Sequence, residues 1–387
     1  DVRSVHVDSV HDLVLIDLAP VVYRGKVYQH EVMDGIDVYR TYIFASPRLS
    51  TITKGLGYVT FVLSASLFLL LTRLRYDAVI ATSPPPLMGL PGLLAAWKRC
   101  VPLVFDVRDI WPEAIVLSGR IKNALLIRML EGIEMLLYRS ATLVSVVTEG
   151  KRRRLIERGV PADKLAVFWN GVDLGVFDRE SEGALPPEFG VLDPQARWLT
   201  YAGVFNPSQG LHIILDVAQR LREQRPDLYG QVQFVLIGGG SELTALRVRR
   251  DTLGLDRVVF LPIQPRAVVY RALRRSFAIL ITLRPRKDDH TVPSKIFESL
   301  ASERPILLSA AGEAGWIIED SHGGYATPPG DAEALCRAAV TLLEDHEQAR
   351  NMGRRGRRYV CDNFDRRQTA AALLKRLHEL IVKPAPG

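Results

Sequence analysis

The stretch "VPLVFDVRDIWPEA" (residues 101–114) changes character halfway along. Its first five residues are apolar and suit a strand that is buried on both faces of a parallel sheet. Asp106, Arg108, Asp109 and Glu113 then follow within eight residues, beside a tryptophan and a proline. Ligands of open parallel sheets bind outside the carboxyl ends of the strands. The stretch therefore predicts a core strand that ends at a polar binding edge.

Apolar strands and helical segments alternate along most of the chain. Strands are predicted at 12–18, 36–42, 76–82, 102–107 and 142–147, and after the aperiodic, Pro-rich linker 178–197 again at 197–203, 232–240, 257–263, 277–283, 304–310 and 323–327. Repeated strand–helix units imply parallel sheets with right-handed crossovers. We therefore expect an α/β fold of two Rossmann-like, doubly wound parallel-sheet domains that face each other across a cleft.

The composition argues against several classes of protein. The three cysteines are scattered and lack metal-type spacing, which disfavours a disulfide scaffold or a zinc site. The net charge is +7, with positive charge concentrated at 151–159 and 354–360. Each basic run alone is interpreted as a solvated helix face, and together they permit an anionic partner. No nucleic-acid-binding motif accompanies them, so we expect no nucleic-acid partner.

One apolar segment, 58–71, is too short for a transmembrane helix, since it holds 14 residues against the ~20 needed. We expect a buried helix. The alternative is a helix lying in a membrane surface, with Lys54, Arg73 and Arg75 at its ends. We recognise no signal peptide, although the chain starts at Asp1 and not at Met.

Two glycine-bearing turns in the second half follow predicted strands. In "YAGVFNPSQGL" (201–211), backbone N–H groups of the turn and of the next helix suit a phosphate, but a structural turn is the favoured interpretation of either motif alone. "LIGGGSE" (236–242) lacks the full dinucleotide fingerprint, which disfavours a Rossmann dehydrogenase. We interpret it as a tight turn beside a ligand.

The segment 284–310 is the most informative. Pro293 suits a first helical turn, and Ser294 is predicted to cap that turn or to precede it. Ile296 and Phe297 belong to the predicted buried stripe. Glu298 lies one turn in, where a carboxylate is favoured electrostatically, either as a plain first-turn acid or as a ligand group. A nucleotide would use both the helix start and the carboxylate, with its phosphate on the backbone amides and its ribose diol on Glu298.

Six segments together resemble the GT-B retaining glycosyltransferases, glycosyltransferase family 4-like, of O-antigen, capsule and colanic-acid biosynthesis. The likeness is strongest to the N-acetyl-L-fucosamine transferases. The segments occur in the family's order and cover most of the chain: "ATSPPP" (81–86), "DVRDIWPE" (106–113), "NGVD" (170–173), "YAGVFNPSQGL" (201–211), "VPSKIFESLA" (292–301) and "GEAGWIIEDSHGGYATPPGD" (312–331).

The resemblance implies that the two domains bind different substrates. The acceptor-side domain would span 1–178, with its first strand missing from this chain. A linker at 179–196, a donor domain at 197–362 and a helix at 363–387 that packs back on the first domain would follow. Arg108 and Asp109 match the first-domain position that faces sugar and acceptor, and with Lys295 they form the expected catalytic set.

The same resemblance assigns the donor site. Glu298 matches the ribose-binding glutamate, and Ser294, Lys295, Ile296 and Phe297 match the helix start at the diphosphate. The remaining donor-binding residues are expected in three loops at the phosphates and the base: Gly203, Gln209, Gly210, Gly239 and Ile263. A nucleotide-sugar, a UDP-sugar first among them, would be the donor, with a saccharide or polyprenyl-linked acceptor and no cofactor.

The chain departs from the broad family pattern at several positions. Val204 and Gln209 stand where many relatives have an Arg and a Lys, and His290 stands where many have a glutamate. Arg108 replaces a histidine. The strongest likeness shares these features, so we expect an active enzyme. The lost charge would be compensated by the helix starts at 209–211 and 293–298, together with Lys295, Arg108, and Arg284 or Arg286. A solvated helix lysine is the alternative interpretation of Lys295.

The family's chemistry is transfer with retention at the anomeric carbon. Asp109 would steady the acceptor or an oxocarbenium-like centre. Asp288 and Asp289 are interpreted as solvated, so we expect no metal ion. The expected location is cytoplasmic, at the inner face of the plasma membrane. The alternatives are an epimerase or inverting enzyme of the same architecture, or a non-catalytic protein that binds the donor only.

Overall fold

A computed structural model describes residues 14–17, 28–44, 51–113, 123–285 and 291–382. The chain divides into two compact units, which are Asp1–Phe168 with Ala372–Gly387, and Trp169–Ala371. The expected boundaries at 178, 196 and 362 stay predictions. Arg286, Asp288, Asp289 and His290 lie outside the described residues.

The first unit contains a small sheet and a larger parallel one. Its described strands are β1 (Val14–Asp17), β2 (Tyr28–Met33), β3 (Ile36–Thr41), β4 (Val79–Ser83), β5 (Leu103–Val107), β6 (Leu143–Val146) and β7 (Leu165–Val167). The parallel sheet has the order β4-β5-β6-β7. Its helices are α1 (Thr51–Leu71), α2 (Gly89–Arg99), α3 (Ala124–Ser140) and α4 (Glu149–Glu157). The strands expected from the sequence are confirmed within a few residues.

Two strands of the first unit were not predicted, β2 and the three-residue β7. β2 pairs antiparallel with β3 in the small sheet, whose order is β1-β3-β2. The turn between β2 and β3 is Asp34–Gly35, both with positive φ, which is the geometry of a two-residue hairpin. The polar residues of β2 hide it from a search for apolar runs, but Asp-Gly is the signal that reveals it.

The second unit is built on one six-stranded, fully parallel sheet in the order β10-β9-β8-β11-β12-β13. The strands are β8 (Arg197–Val204), β9 (Val232–Gly239), β10 (Val258–Leu261), β11 (Ala278–Thr282), β12 (Ile306–Ser309) and β13 (Gly324–Thr327). The helices are α5 (Leu174–Glu180), α6 (His212–Gln224), α7 (Pro226–Tyr229), α8 (Leu243–Thr252), α9 (Arg266–Arg275), α10 (Lys295–Ala301), α11 (Gly312–Ser321), α12 (Ala332–Glu344) and α13 (His346–Asn363). The last helix, α14 (Arg366–Val382), begins in the second unit and belongs to the first unit from Ala372 onward.

Helices cover both faces of this sheet. Successive side chains of a strand point to opposite faces, so Ala278 and Leu280 enter one apolar cluster while Ile279 and Ile281 enter another. All four are buried. The sheet is therefore covered by apolar core on both sides.

The apolar segment 58–71 lies in α1, and the expectation of a buried helix is only half right. Phe61, Ala65 and Leu69 are buried, whereas Leu63 and Leu67 on the opposite side are exposed. None of the helices in the described part of the chain is long and apolar enough to cross a bilayer.

Candidate functional site

The sheet of the second unit has a topological switch point between β8 and β11. The chain runs β8, β9, β10 towards one edge and then β11, β12, β13 towards the other. In this doubly wound order, ligands bind outside the carboxyl ends of the strands at the point of reversal. Two hydrogen bonds join the loops there: Thr282 Oγ1 to the Gln209 carbonyl at 2.6 Å, and the Arg284 amide to the Ser208 carbonyl at 3.0 Å. We call this place the switch edge, residues 203–210 and 282–284.

Lys295 reaches the switch edge from the first residue of α10. Its Nζ donates to the hydroxyl of Tyr201 at 2.9 Å and to Oε1 of Gln209 at 3.0 Å. The ammonium also lies 4.1 Å from the centre of the Tyr201 ring, within cation–π range. Burial lowers the pKa of Lys295 to about 8, and the charge of Glu298 opposes that shift. The solvated-lysine interpretation is therefore wrong.

Gly203 makes room for this ammonium. Its φ is +150°, and an added Cβ would lie 2.6 Å from Nζ of Lys295 and 3.2 Å from the Tyr201 hydroxyl. At Gly238, an added Cβ would lie 1.9 Å from the carbonyl oxygen of Gly203. Glycines are thus required where the ends of β8 and β9 approach each other.

Tyr201 is a site residue that the sequence analysis did not single out. It is fully buried on β8, two residues before Gly203 and therefore on the same face of the strand. Burial raises the pKa of its hydroxyl, so the group stays protonated and donates to Oε1 of Gln209 at 3.1 Å. That two-residue spacing is the signal that identifies it.

The helix start at α10 follows one of its two predicted alternatives. Ser294 was expected to cap the first turn or to precede it. It directly precedes α10, and its side chain makes no capping hydrogen bond, because its backbone is helical (φ −57°, ψ −26°) rather than extended. Ile296 and Phe297 are buried in the core as expected. Their amides donate within the helix start, to the carbonyls of Pro293 at 3.0 Å and Ser294 at 3.2 Å.

Glu298 lies one turn into α10 and is held by α9. Its Oε1 accepts a hydrogen bond from the hydroxyl of Tyr270 at 2.7 Å. Burial raises the pKa of Tyr270, and the charge of Glu298 raises it further. Tyr270 therefore acts as a fixed donor that orients the carboxylate.

The remaining donor-loop residues lie near the same edge. Gly210 (φ +61°) packs so closely that an added Cβ would lie 3.1 Å from the Arg284 amide nitrogen. An added Cβ at Gly239 would lie 3.3 Å from the side chain of Ile263, which is exposed. The structure thus brings Gly203, Gln209 and Lys295 into contact, and Gly239 beside Ile263. The donor-binding and catalytic roles of these residues remain predictions.

In the first unit, the polar residues after β5 form a connected network. Oδ1 of Asp106 accepts from Ser145 Oγ on β6 at 2.8 Å, and its Oδ2 pairs with Nε of Arg108 at 2.7 Å. The side chains of Arg108 and Asp109 are each about half exposed. Arg108 and Asp109 are therefore accessible from solvent, as a substrate-facing pair needs to be.

Lys151 corrects the interpretation of the basic run 151–159 as a solvated face. This lysine of α4 is only 6% exposed. Its Nζ donates to the carbonyl of Arg108 and lies 3.4 Å from Oδ1 of Asp109. Lys151 therefore supports the segment that carries Arg108 and Asp109, two of the three expected catalytic residues.

The rest of the charges near 101–114 are also paired. Glu113 accepts from Arg154 of α4 at 3.0 Å. The Trp111 amide donates at 2.9 Å to Glu134, a carboxylate of α3 that is 1% exposed. Burial raises the pKa of Glu134, and the Arg158 guanidinium at 2.8 Å opposes the shift. A hydrogen bond to α3 and an ion pair with α4 thus fix the loop after β5.

Comparisons with known proteins agree with this fold. The family described as "Glycosyl transferase 4-like domain" matches residues 9–171, and the family described as "Glycosyl transferases group 1" matches residues 188–359. The chain belongs to these glycosyltransferase families and is a GT-B glycosyltransferase. The expected GT-B glycosyltransferase family, the α/β class with two Rossmann-like domains and the enzyme class are confirmed.

Individual relatives are distant. The Escherichia coli K12 protein named as colanic acid biosynthesis glycosyl transferase WcaI is 24% identical over 332 residues, covering 82% of this chain and 80% of its own. Sucrose-phosphate synthase from Thermosynechococcus elongatus superposes with a TM-score of 0.71 at 17% identity, covering 92% and 86%. Anabaena HepE with UDP and glucose superposes with a TM-score of 0.67 at 20% identity, covering 89% and 87%.

Proposed function

We propose that the chain transfers a sugar from a nucleotide-sugar, a UDP-sugar, to a hydroxyl of a saccharide or lipid-linked acceptor in the synthesis of a bacterial surface polysaccharide. The name of the colanic acid relative supports the pathway, and the UDP-bound neighbour supports the donor. The carrying observation is that Tyr201 and Gln209 hold the ammonium of Lys295 at the switch edge. The narrower likeness to N-acetyl-L-fucosamine transferases stays a prediction.

The donor diphosphate binds at the switch edge in this proposal. Charge grows on the leaving diphosphate as its bond to the sugar breaks, so a preorganised cation there stabilises the transition state more than the ground state. Lys295 is preorganised, since Tyr201 and Gln209 already hold its Nζ. Glu298, oriented by Tyr270, takes the ribose hydroxyls.

Transfer proceeds with retention. The acceptor hydroxyl attacks from the same face as the leaving group, and the leaving phosphate oxygen takes the proton of that hydroxyl. Asp109 steadies the acceptor or the oxocarbenium-like centre, and Arg108 adds positive charge. No cofactor or metal ion takes part.

Membrane docking of the first unit is a further part of the proposal. The outer side of α1 exposes an unbroken row of apolar residues at helical spacing: Leu56, Val59, Leu63, Leu67, Leu70 and Leu71. Arg73 and Arg75, just beyond its carboxyl end, are exposed as well. Trp97, on the neighbouring α2, is 75% exposed. An apolar row with basic and tryptophan flanks suits the inner, anionic face of the plasma membrane.

Donor screening tests the catalytic part. Purified protein is heated with UDP-, GDP- or ADP-sugars, and product formed with a saccharide acceptor is examined by NMR. We expect a UDP-sugar to raise the melting temperature and the product to keep the donor's anomeric configuration. An inverted product, or turnover without acceptor, would instead select an inverting enzyme or an epimerase. Donor binding without any turnover would select the non-catalytic alternative.

A further inference from the structure

The amino edge of the second unit's sheet carries a cavity far from the switch edge. The cavity has a volume of about 300 Å³ and is lined by residues that precede or begin β8 and β11, and by Arg304 just before β12. Because the strands are parallel, their starts share one edge of the sheet. Gly203 is six residues further along β8 than Arg197, which corresponds to ~20 Å of extended strand. The cavity is therefore separate from the proposed donor site.

Four arginines line this cavity: Arg197, Arg274, Arg275 and Arg304. Among the described residues that line it, none is acidic. Arg274 pairs with Asp178, but Asp178 also serves Arg357 at 2.7 Å. The positive charge around the cavity therefore exceeds the negative charge that faces it.

Carbonyl oxygens and aromatic rings hold these guanidinium groups in place. Arg197 donates to the Leu343 carbonyl at 3.0 Å, Arg275 to the Pro194 carbonyl at 2.6 Å, and Arg304 to the Arg274 carbonyl at 2.8 Å. The guanidinium of Arg275 also lies 4.9 Å from the centre of the Trp198 ring. Such contacts fix the groups without neutralising them.

The positive charges of the cluster repel one another. Burial lowers the pKa of Arg304, Arg274 and Arg275 lower it further, and Glu303 opposes them. Burial also lowers the pKa of Arg197. In addition, Nε of Arg274 is buried without a hydrogen-bond partner among the described residues. An anion in the cavity would offset the repulsion among these arginines.

We propose that the arginine-lined cavity binds a soluble phosphoryl anion of the size of pyrophosphate or a small phosphorylated metabolite. Arginine matches phosphate because its planar fork donates two parallel hydrogen bonds to adjacent oxygens. Several guanidinium groups around one cavity call for an anion with more than one charge and several oxygens, which a monocarboxylate lacks. The volume lies at the lower end of small-molecule pockets, ~300–1,000 Å³, and suits a compact ligand.

Calorimetric titration of inorganic pyrophosphate tests this proposal. The titration uses the full chain carrying Lys295→Met, so that the proposed donor site contributes no lysine to the binding. We expect one site per chain and weaker binding at higher salt. Adding Arg275→Gln or Arg197→Gln should weaken binding by at least ~10-fold, since each removes a charged donor. The two arginines lie on different elements, so a shared loss does not come from one disturbed helix.

Arg247→Gln in the same background is the matched control, because Arg247 is an exposed arginine of α8 outside the cavity lining. It should bind pyrophosphate as tightly as the background protein, and melting curves verify that each variant is folded. Absence of binding to the Lys295→Met protein, or equal affinity in all three arginine variants, would overturn the proposal. Neither result bears on donor transfer, which is measured separately by turnover.

Discussion

The Nζ atom of Lys295 lies 3.0 Å from Oε1 of Gln209, and this contact joins the first residue of α10 to the loop after β8. The family pattern that the resemblance implies has a lysine at the position of Gln209. Here the charge comes from α10 and the loop supplies a neutral acceptor that positions it. The contact explains how a loop without its own basic residues keeps a cation at the switch edge.

Removing that cation should slow transfer. Lys295→Met keeps most of the side-chain volume but deletes a charged hydrogen-bond donor, whose contribution is ~1.5–3 kcal/mol, equivalent to ~10–100-fold in rate. We expect the loss mainly in kcat, measured with saturating donor in a radiolabel transfer assay. Gln209→Met is the companion variant; it should cost less, because it leaves the ammonium in place. Equal rates for Lys295→Met and the parent protein would remove Lys295 from the mechanism.

The pH profile should report the same group. The pKa of Lys295 is lowered to about 8, so its positive charge is lost as pH rises through that value. We expect kcat/KM for the donor to fall above pH 8. Lys295→Arg keeps its charge at all these pH values, and its profile should stay level there. A falling limb that persists unchanged in Lys295→Arg would assign the titration to another group.

Gly203→Ala should disturb the site through its backbone. The added Cβ would lie 2.6 Å from Nζ of Lys295, at a φ of +150° that side chains rarely adopt. We expect a destabilisation of about 1–3 kcal/mol, seen as a lower urea midpoint, together with lost transfer activity. Gly190→Ala is the matched control, since an added Cβ there meets no described atom within 4 Å. A Gly203→Ala protein with normal activity would show that Lys295 need not stay where the structure places it.

Lys151→Met tests the support of the loop after β5. The variant leaves the Arg108 carbonyl and Asp109 without a buried cation, at a cost of about 1–3 kcal/mol in unfolding free energy. We expect a drop in kcat larger than any change in donor affinity, because the proposed mechanism assigns Asp109 to the acceptor side. Arg153→Gln, an exposed neighbour in the same basic run, should change neither quantity. If the two variants behave alike, Lys151 is an ordinary surface lysine in function.

Membrane docking can be measured by co-sedimentation with vesicles. Leu63→Asp and Leu67→Asp place charges on the exposed side of α1 and should reduce binding to vesicles that contain anionic lipid. Asp substitution at exposed Leu125 of α3 is the control for added charge alone. Binding that is indifferent to anionic lipid, to salt and to the α1 substitutions would contradict the docking proposal.

The sequence predicts most strands of the two parallel sheets, because both faces of each core strand are apolar and the strand ends are polar. It identifies the glycine turns, the stripe of Ile296 and Phe297, and the family. It does not reveal β2, whose polar residues mask the strand. Nor does it reveal the exposed side of α1, because a helix that is apolar on all sides has the same sequence pattern whether one side is exposed or all sides are buried.

Side-chain partners are the part that sequence reasoning cannot supply. Lys151 opens a run of basic residues and is nevertheless buried, because the loop after β5 offers it a carbonyl and a carboxylate. Tyr201 and Lys295 are 94 residues apart and meet only because β8 and α10 converge at one edge. Ser294 has the residue type of a cap, but a helical backbone at that position prevents it from capping.

A crystal structure of the chain with UDP bound would be decisive for the switch edge as the donor site. The diphosphate should lie within hydrogen-bond distance of Nζ of Lys295, ~2.7–3.2 Å, and beside the backbone of Gly203. The ribose should contact Glu298. A nucleotide bound elsewhere, with its phosphates away from residues 203–210 and 293–298, would contradict the proposed mechanism.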